Sequence, residues 1–417
     1  MTTDAFGTDR RDGHAGESSS GLHASGGAAS SPVARIVTQS RTRSAFLQLV
    51  NRLLITGAGG FLGHAILREL MPRLESRDDP LTDIHLLDIN GEGLPKGVGL
   101  KHFVGSITDA GLLARATHNV DAVIHCASVI DWGRVPKQVM FDVNVLGTEL
   151  LLDACRSAGV RSVVYTSSMD VVCGRTGEVV NADEAKPYPR EFANYYAETK
   201  AKAETMVLRF NGTVRTAGSD DNPKNRLTTR TCALRPCGMY GEEDPYHVAN
   251  TLKVLREGKL AARPGNGEAR FEHVYVGNVA QAHLLAVQRL NVRDPKACGH
   301  SFFITDDSPA VNFLDFMEPI VDALGYELPP KSRKVPYPIM LTVGALYEAG
   351  AWLAKPFGGS EPPVLTRSSV RFVCKTHTFN GSRAREWLGY EPGYSYEEAL
   401  RRTIDWWKEH EAASARG

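Results

Sequence analysis

Between residues 53 and 305, short apolar runs alternate with stretches whose apolar residues recur every three or four positions. The runs Leu53–Thr56, Ile84–Asp88, His102–Val104, Ala122–Cys126, Ser162–Thr166, Arg230–Leu234 and Ser301–Thr305 predict strands. The periodic stretches Leu62–Leu74, Ala110–Thr117, Val139–Ser157 and Tyr195–Phe210 predict helices between them. Strands alternating with helices imply right-handed crossovers and a parallel sheet, which is the doubly wound α/β class. After Leu234 the alternation loosens. Helices are expected at His247–Glu257, Val279–Gln288, Phe313–Leu324 and Tyr396–Glu409. The expected division is a first domain over residues 50–236, to which 270–287 and 300–310 return, and a smaller substrate-binding portion over 237–411.

Three stretches break the pattern. Residues 1–49 include a Ser, Gly and Ala tract that cannot bury enough apolar surface to offset the entropy of ordering, so a disordered tail is expected. Residues 211–230 are polar and rich in helix breakers, and read as a surface insertion. In 336–358, Ile339, Val343, Leu346, Gly350, Leu353 and Phe357 define one helical face. Glu348 and Lys355 interrupt it, leaving it short of the roughly 20 apolar residues of a membrane span. It reads either as a helix packed in the substrate-binding portion or as one lying in a membrane interface, with Tyr347 and Trp352 near the headgroups.

Composition narrows the function. The 417 residues contain 48 Lys and Arg against 48 Asp and Glu, a balance that argues against a nucleic-acid partner. Seven scattered cysteines without a CxxC pair suggest a reduced, intracellular setting, and no metal site is expected.

The chemistry is concentrated in four places. Strand 53–56 turns through Gly57-Ala58-Gly59-Gly60 into a helix, which sets backbone N–H groups and a positive helix end against a phosphate. Gly57 would make the turn, Gly60 admit a pyrophosphate and Gly63 allow close helix–strand packing. Asp88 ends the second strand, where a carboxylate can accept both hydroxyls of an adenosine ribose and repel a 2′-phosphate, favouring NAD over NADP. Tyr165-Thr166-Ser167-Ser168 puts hydroxyls at a strand's carboxyl end. Tyr196 and Lys200, four apart on a helix, share one face. The ammonium and an oxidised nicotinamide would pull the phenol below its usual pKa of about 10, making it a base.

These motifs together resemble those of the extended short-chain dehydrogenase/reductases: TGAGGFLG (56–63), LLDI (86–89), HCAS (125–128), NVLGT (144–148), YTSS (165–168), YYAETK (195–200) and LRPCGMYG (234–241). FEHVYVGNVAQAHLLA (271–286), FFITDD (302–307) and LGYEP (388–392) resemble the 3β-hydroxysteroid dehydrogenase branch, particularly the sterol-4α-carboxylate 3-dehydrogenases. The resemblance covers about Arg52 to Glu409 and implies a Rossmann fold. It implies Tyr196 as proton acceptor, Lys200 lowering its pKa and holding the nicotinamide ribose, and Ser168 binding the substrate hydroxyl. It implies NAD contacts at Gly57, Gly60, Phe61, Gly63, Asp88, Ile107, Ala127, Tyr196, Lys200 and Pro236, with Asn144 supporting the site. Two departures stand out. The family's Gly-Asp after the third strand is Gly105-Ser106-Ile107 here, so the adenine contact is weakened or passes to the backbone. Sugar-nucleotide epimerases carry Arg where Phe271 stands, and an apolar residue there suits a hydrophobic substrate.

The resemblance implies NAD-dependent oxidation of a 3β-hydroxysterol to the 3-ketone, with loss of CO2 if C4 carries a carboxylate, since a β-keto acid decarboxylates through its enol. The competing expectations are a Δ5–Δ4 isomerase, which needs a further acid or base, a sugar-nucleotide epimerase holding NAD, and a non-catalytic NAD-sensing scaffold. Peripheral attachment to the cytosolic face of a sterol-handling membrane (the endoplasmic reticulum in a eukaryote) is expected, with a cytoplasmic location as the alternative. Dimers are common in the wider family, so a homodimer is the expectation by analogy.

Overall fold

A computed structural model describes residues 50–76, 79–130, 135–214, 227–292, 296–354 and 366–414. The predicted tail and most of the predicted insertion fall outside these residues. Seven parallel strands form the central sheet: β1 (Arg52–Thr56), β2 (Asp83–Asp88), β3 (Leu100–Val104), β4 (Ala122–His125), β5 (Ser162–Thr166), β8 (Thr228–Pro236) and β12 (Ser301–Ile304). Their spatial order is β3-β2-β1-β4-β5-β8-β12, and a short β7 (Thr213–Val214) pairs antiparallel with β8. All seven predicted strands are present, shifted by a residue or two at their ends.

Leu53 and Ile55 pack into the core on one face of the sheet, and Leu54 packs into a second core on the other. Burial on both faces explains why the strands read as continuous apolar runs rather than alternating ones. The helices that cover the sheet are α1 (Phe61–Leu74), α2 (Ala110–Ala116), α4 (Gly147–Ala158), α5 (Tyr195–Phe210) and α7 (Val276–Asn291). The predicted helix 139–157 is broken: α3 (Lys137–Phe141) runs through a wider π turn, Asp142–Leu146, into α4. Helical periodicity continues through such a turn almost unchanged, so the sequence pattern hides it.

The strand order reverses between β1 and β4, which opens a crevice at the carboxyl ends of the strands. Beyond it lie α6 (Val248–Arg256), α8 (Phe313–Ala323), α9 (Tyr337–Ala354), α10 (Arg367–Cys374) and α11 (Tyr396–Ser414). Three two-stranded parallel pairs stitch this portion together: β6 (Val179–Ala182) with β14 (His377–Phe379), β9 (Gly238–Tyr240) with β11 (His273–Tyr275), and β10 (Arg263–Pro264) with β13 (Lys334–Val335). These strands have two to four residues, too few for a recognisable period.

Candidate active site

The glycine turn is shaped by contacts that leave no room for side chains. Gly57 has φ +70°, and a methyl there would stand 2.7 Å from Ala127 N. A methyl on Gly63 would lie 2.3 Å from Gly57 O and 2.6 Å from Ala58 O, so close packing of α1 on the turn requires glycine. Gly60 caps α1 with no side-chain bond to its first N–H groups, which leaves them for a ligand. Asp88 accepts the Gly59 N–H at 2.9 Å and the Asn90 N–H at 3.1 Å, so its carboxylate braces the turn as well as ending β2.

One cleft runs over this turn. Of the sequence-predicted residues it is lined by Gly57, Gly60, Phe61, Gly63, Asp88, Ile107, Ala127, Tyr196 and Lys200, with Thr166, Ser167, Met239 and Tyr246 at the far end. Pro236 does not line it. It ends β8, where it pairs with Ile304, and Met239 faces the cleft instead. Ser168 also stands outside the lining. It caps a 3₁₀ turn (Met169–Val172), its hydroxyl accepts the Asp170 N–H at 3.1 Å, and it hydrogen-bonds Tyr196.

Helix α5 begins where Asn194 accepts the Ala197 N–H at 2.8 Å, and the face carrying Tyr196, Lys200, Glu204 and Val207 is buried. Burial there works against one expectation. It raises the Tyr196 phenol, helped by the charge of Asp170 and by Tyr246, while only the Ser168 hydrogen bond acts the other way. Lys200 is itself pushed down to about 7 by burial. Its ammonium donates to Thr166 O and lies 4.4 Å from the Tyr165 ring centroid. A partly neutral amine held by a carbonyl exerts less pull on the phenol than a free ammonium.

The sequence did not announce the polar chain beneath the cleft. Thr148 donates to Asn144 O at 2.7 Å, so it accepts from His125 Nε2 at 2.9 Å. His125 Nδ1 is then the acceptor for the Thr56 hydroxyl at 2.7 Å, and Thr56 Oγ1 receives the Ala127 N–H at 3.3 Å. This requires a neutral imidazole, and burial pushes His125 down to about 3. Asn144, in the π turn, accepts the Val129 N–H at 2.7 Å and donates to Val129 O and Thr199 Oγ1, both at 3.0 Å. Thr199 donates to Tyr196 O at 2.8 Å, which closes the chain from the glycine turn to α5. Ser167, among the strand-end hydroxyls of the sequence, was not singled out there. The residue lines the cleft, and its hydroxyl is buried with no hydrogen-bond partner among the described residues.

Two further cavities lie nearby, of which one shares a lining residue with the cleft. A largely apolar one of about 430 Å³ lies between α6, α9 and α10, with Leu260, Met340, Val343, Val370, Phe372 and Val373 in its walls. Tyr246 lines both this cavity and the cleft. The second holds Asp170, Asn194, Tyr337, Arg371 and Lys375, with Phe372 shared between it and the apolar cavity. Phe271, expected to suit a hydrophobic substrate, lines neither. It is 2% exposed and packs 4.5 Å from the Phe372 ring, supporting that wall from behind.

A family model described as the 3-beta hydroxysteroid dehydrogenase/isomerase family matches residues 54–336. The chain belongs to this family. As a member it is an oxidoreductase of the 3β-hydroxysteroid dehydrogenase type. An Arabidopsis thaliana relative, 3beta-hydroxysteroid-dehydrogenase/decarboxylase isoform 1, is 33% identical over 320 residues, covering 76% of this chain and 69% of the relative. Isoform 2 from the same plant is 32% identical over 363 residues, 84% of this chain, but the match spans only 61% of that relative's length. A solved short-chain dehydrogenase/reductase superfamily protein from Agrobacterium tumefaciens with bound NAD shares the fold, with a TM-score of 0.61 at 21% identity, covering 88% of this chain and all (100%) of that one.

Proposed function

We propose that this family member oxidises the 3β-hydroxyl of a sterol 4α-carboxylate to the 3-ketone with NAD, and that CO2 is lost from C4. The observation that carries the reading is the position of Tyr196: it lines the cleft over the glycine turn, and Tyr246 lines both that cleft and an apolar cavity. The cleft fits NAD. Its turn admits no side chain at Gly57 or Gly63, uncapped N–H groups at α1 suit a pyrophosphate, and Asp88 disfavours a 2′-phosphate. Bound there, NAD supplies the acceptor for the hydride leaving C3. Tyr196 takes the hydroxyl proton, Ser168 and the unpartnered Ser167 Oγ orient the oxygen, and Lys200 holds the ribose side. The sterol rings fill the apolar cavity, where Phe372 and Val373 exclude water.

Helix α9 supports peripheral membrane contact. Ile339, Leu346, Trp352 and Leu353 are 54–73% exposed on it, while Gly344 packs on the Thr366 backbone and Glu348 pairs with Arg367 at 2.7 Å. Among the described residues no helix is long and apolar enough to cross a membrane.

The test supplies NAD with a 4α-carboxysterol and, separately, with a Δ5-3β-hydroxysteroid. The reading predicts NADH, 3-ketone and CO2 from the first. A conjugated enone from the second, with no turnover of the first, would replace it with the isomerase reading.

A further inference from the structure

Loss of CO2 leaves an electron pair at C4 that must be met by a proton. Neither group assigned to the oxidation is placed for that. Tyr196 faces the C3 oxygen, and Lys200 is engaged by the Thr166 carbonyl. Asp170 is the remaining acid on this side. It stands two residues after Ser168 on the same 3₁₀ turn, and the Ser168 hydroxyl fixes it by accepting its backbone N–H at 3.1 Å. Ser168 also bonds Tyr196, and the charge of Asp170 acts on the Tyr196 phenol, so the carboxyl belongs to the surroundings of the group that meets C3.

Asp170 is partly exposed as a residue and lines the cavity beside α9 and α10, while its carboxyl is held out of bulk water. The other titratable or charged groups lining that cavity are Cys173, Arg175, Tyr337, Arg371, Lys375 and His377, and Arg175 is paired with Glu191 at 2.7 Å. Among the described residues no cation pairs with Asp170 itself. Burial pushes its pKa up to about 6, against the Ser168 hydrogen bond, and an arriving substrate carboxylate would raise it further. Such an acid carries a proton near neutrality and can release it.

We infer that Asp170 is the acid that protonates C4 after CO2 leaves; this rests on the sterol 4α-carboxylate reading. The bond from C4 to the carboxylate breaks, its electron pair forms the C3–C4 enolate, and CO2 departs. The Asp170 O–H bond then breaks, its proton joins C4, the 3-ketone re-forms, and Asp170 is left as a carboxylate that regains a proton through the cavity.

The experiment uses the full chain with NAD in D2O and a sterol bearing a 4α-carboxylate as its only C4 substituent. NADH is followed by absorbance, and the position of deuterium at C4 by NMR on ketone sampled early. The wild type is expected to place deuterium on one face. Asp170→Asn is expected to give both faces, with ketone release lagging NADH formation by about 10²-fold or more. Asp170→Glu, which keeps the acid, is expected to restore a single face. Single-face labelling without a lag in Asp170→Asn would overturn the inference while leaving the sterol reading intact. A wild type that makes no NADH from this substrate would overturn both. If Asp170→Asn is inactive, the wild type decides: the lag should lengthen as pH is raised from below to above neutrality, and a pH-independent lag would overturn the inference.

Discussion

His125 shows how one side chain can tie a binding turn to a catalytic helix. It must be neutral to accept from Thr56 and donate to Thr148, and burial holds it there, with its pKa near 3. His283 is similar. Its Nδ1 donates to Val279 O and its Nε2 meets the Thr166 hydroxyl, both at 2.8 Å, with burial lowering it to about 4. Unfolding frees both to bind protons at the ordinary value of about 6.5. The unfolded state therefore takes up more protons between those values, and stability is present above pH 6.5 and lost as pH falls towards 4 and 3. We expect the thermal midpoint to fall across this window, each histidine adding a slope on the order of 1 kcal/mol per pH unit. His125→Gln should flatten the profile; an unchanged slope would show that other groups govern it.

Helix α5 is anchored to the sheet by charge as well as by packing. Arg235 on β8 meets Glu204 with donor–acceptor distances of 2.5–3.2 Å, both side chains at most 4% exposed, and Tyr188 donates to the same carboxylate at 2.6 Å. Removing one partner strands the other charge. Arg235→Met is expected to cost about 3–5 kcal/mol by denaturant unfolding, and the double variant with Glu204→Leu to recover much of it. At the opposite side of the cleft, Gly63→Ala pushes a methyl against two backbone oxygens. It should lower stability by about 1–3 kcal/mol and weaken NAD binding in titration calorimetry. Wild-type affinity in that variant would mean the turn can shift.

These elements were legible in the sequence to different degrees. Helix α5 was readable to the residue because Asn194 caps it and its buried face repeats every three to four positions. The π turn around Asn144 was not, because one extra residue per turn leaves no mark in the apolar period. Phe271 was misplaced for a related reason. An apolar residue beside a site motif can face the ligand or the core, and only packing decides. Tyr196 and Lys200 were found from their spacing together with the neighbouring motifs, but neither reveals that burial raises the phenol and lowers the ammonium.

For the whole molecule, the sheet supplies the cleft, and the smaller elements after β8 supply the apolar cavity and its edge on α9. The exposed stripe on α9 is expected to bring the protein to lipid. Leu346→Ser with Trp352→Ser should reduce co-flotation with phosphatidylcholine vesicles several-fold; equal flotation would remove α9 as the contact. The central claim is narrower: hydride leaves C3 of a 3β-hydroxysterol for NAD with Tyr196 as base. It is tested most directly with a 4α-carboxysterol deuterated at C3, reading deuterium in the reduced cofactor by mass spectrometry. The wild type should transfer one deuterium to each NADH formed, and Tyr196→Phe should bind NAD but lose about 10²-fold or more of that transfer. Unlabelled NADH, or undiminished transfer in Tyr196→Phe, would contradict the account.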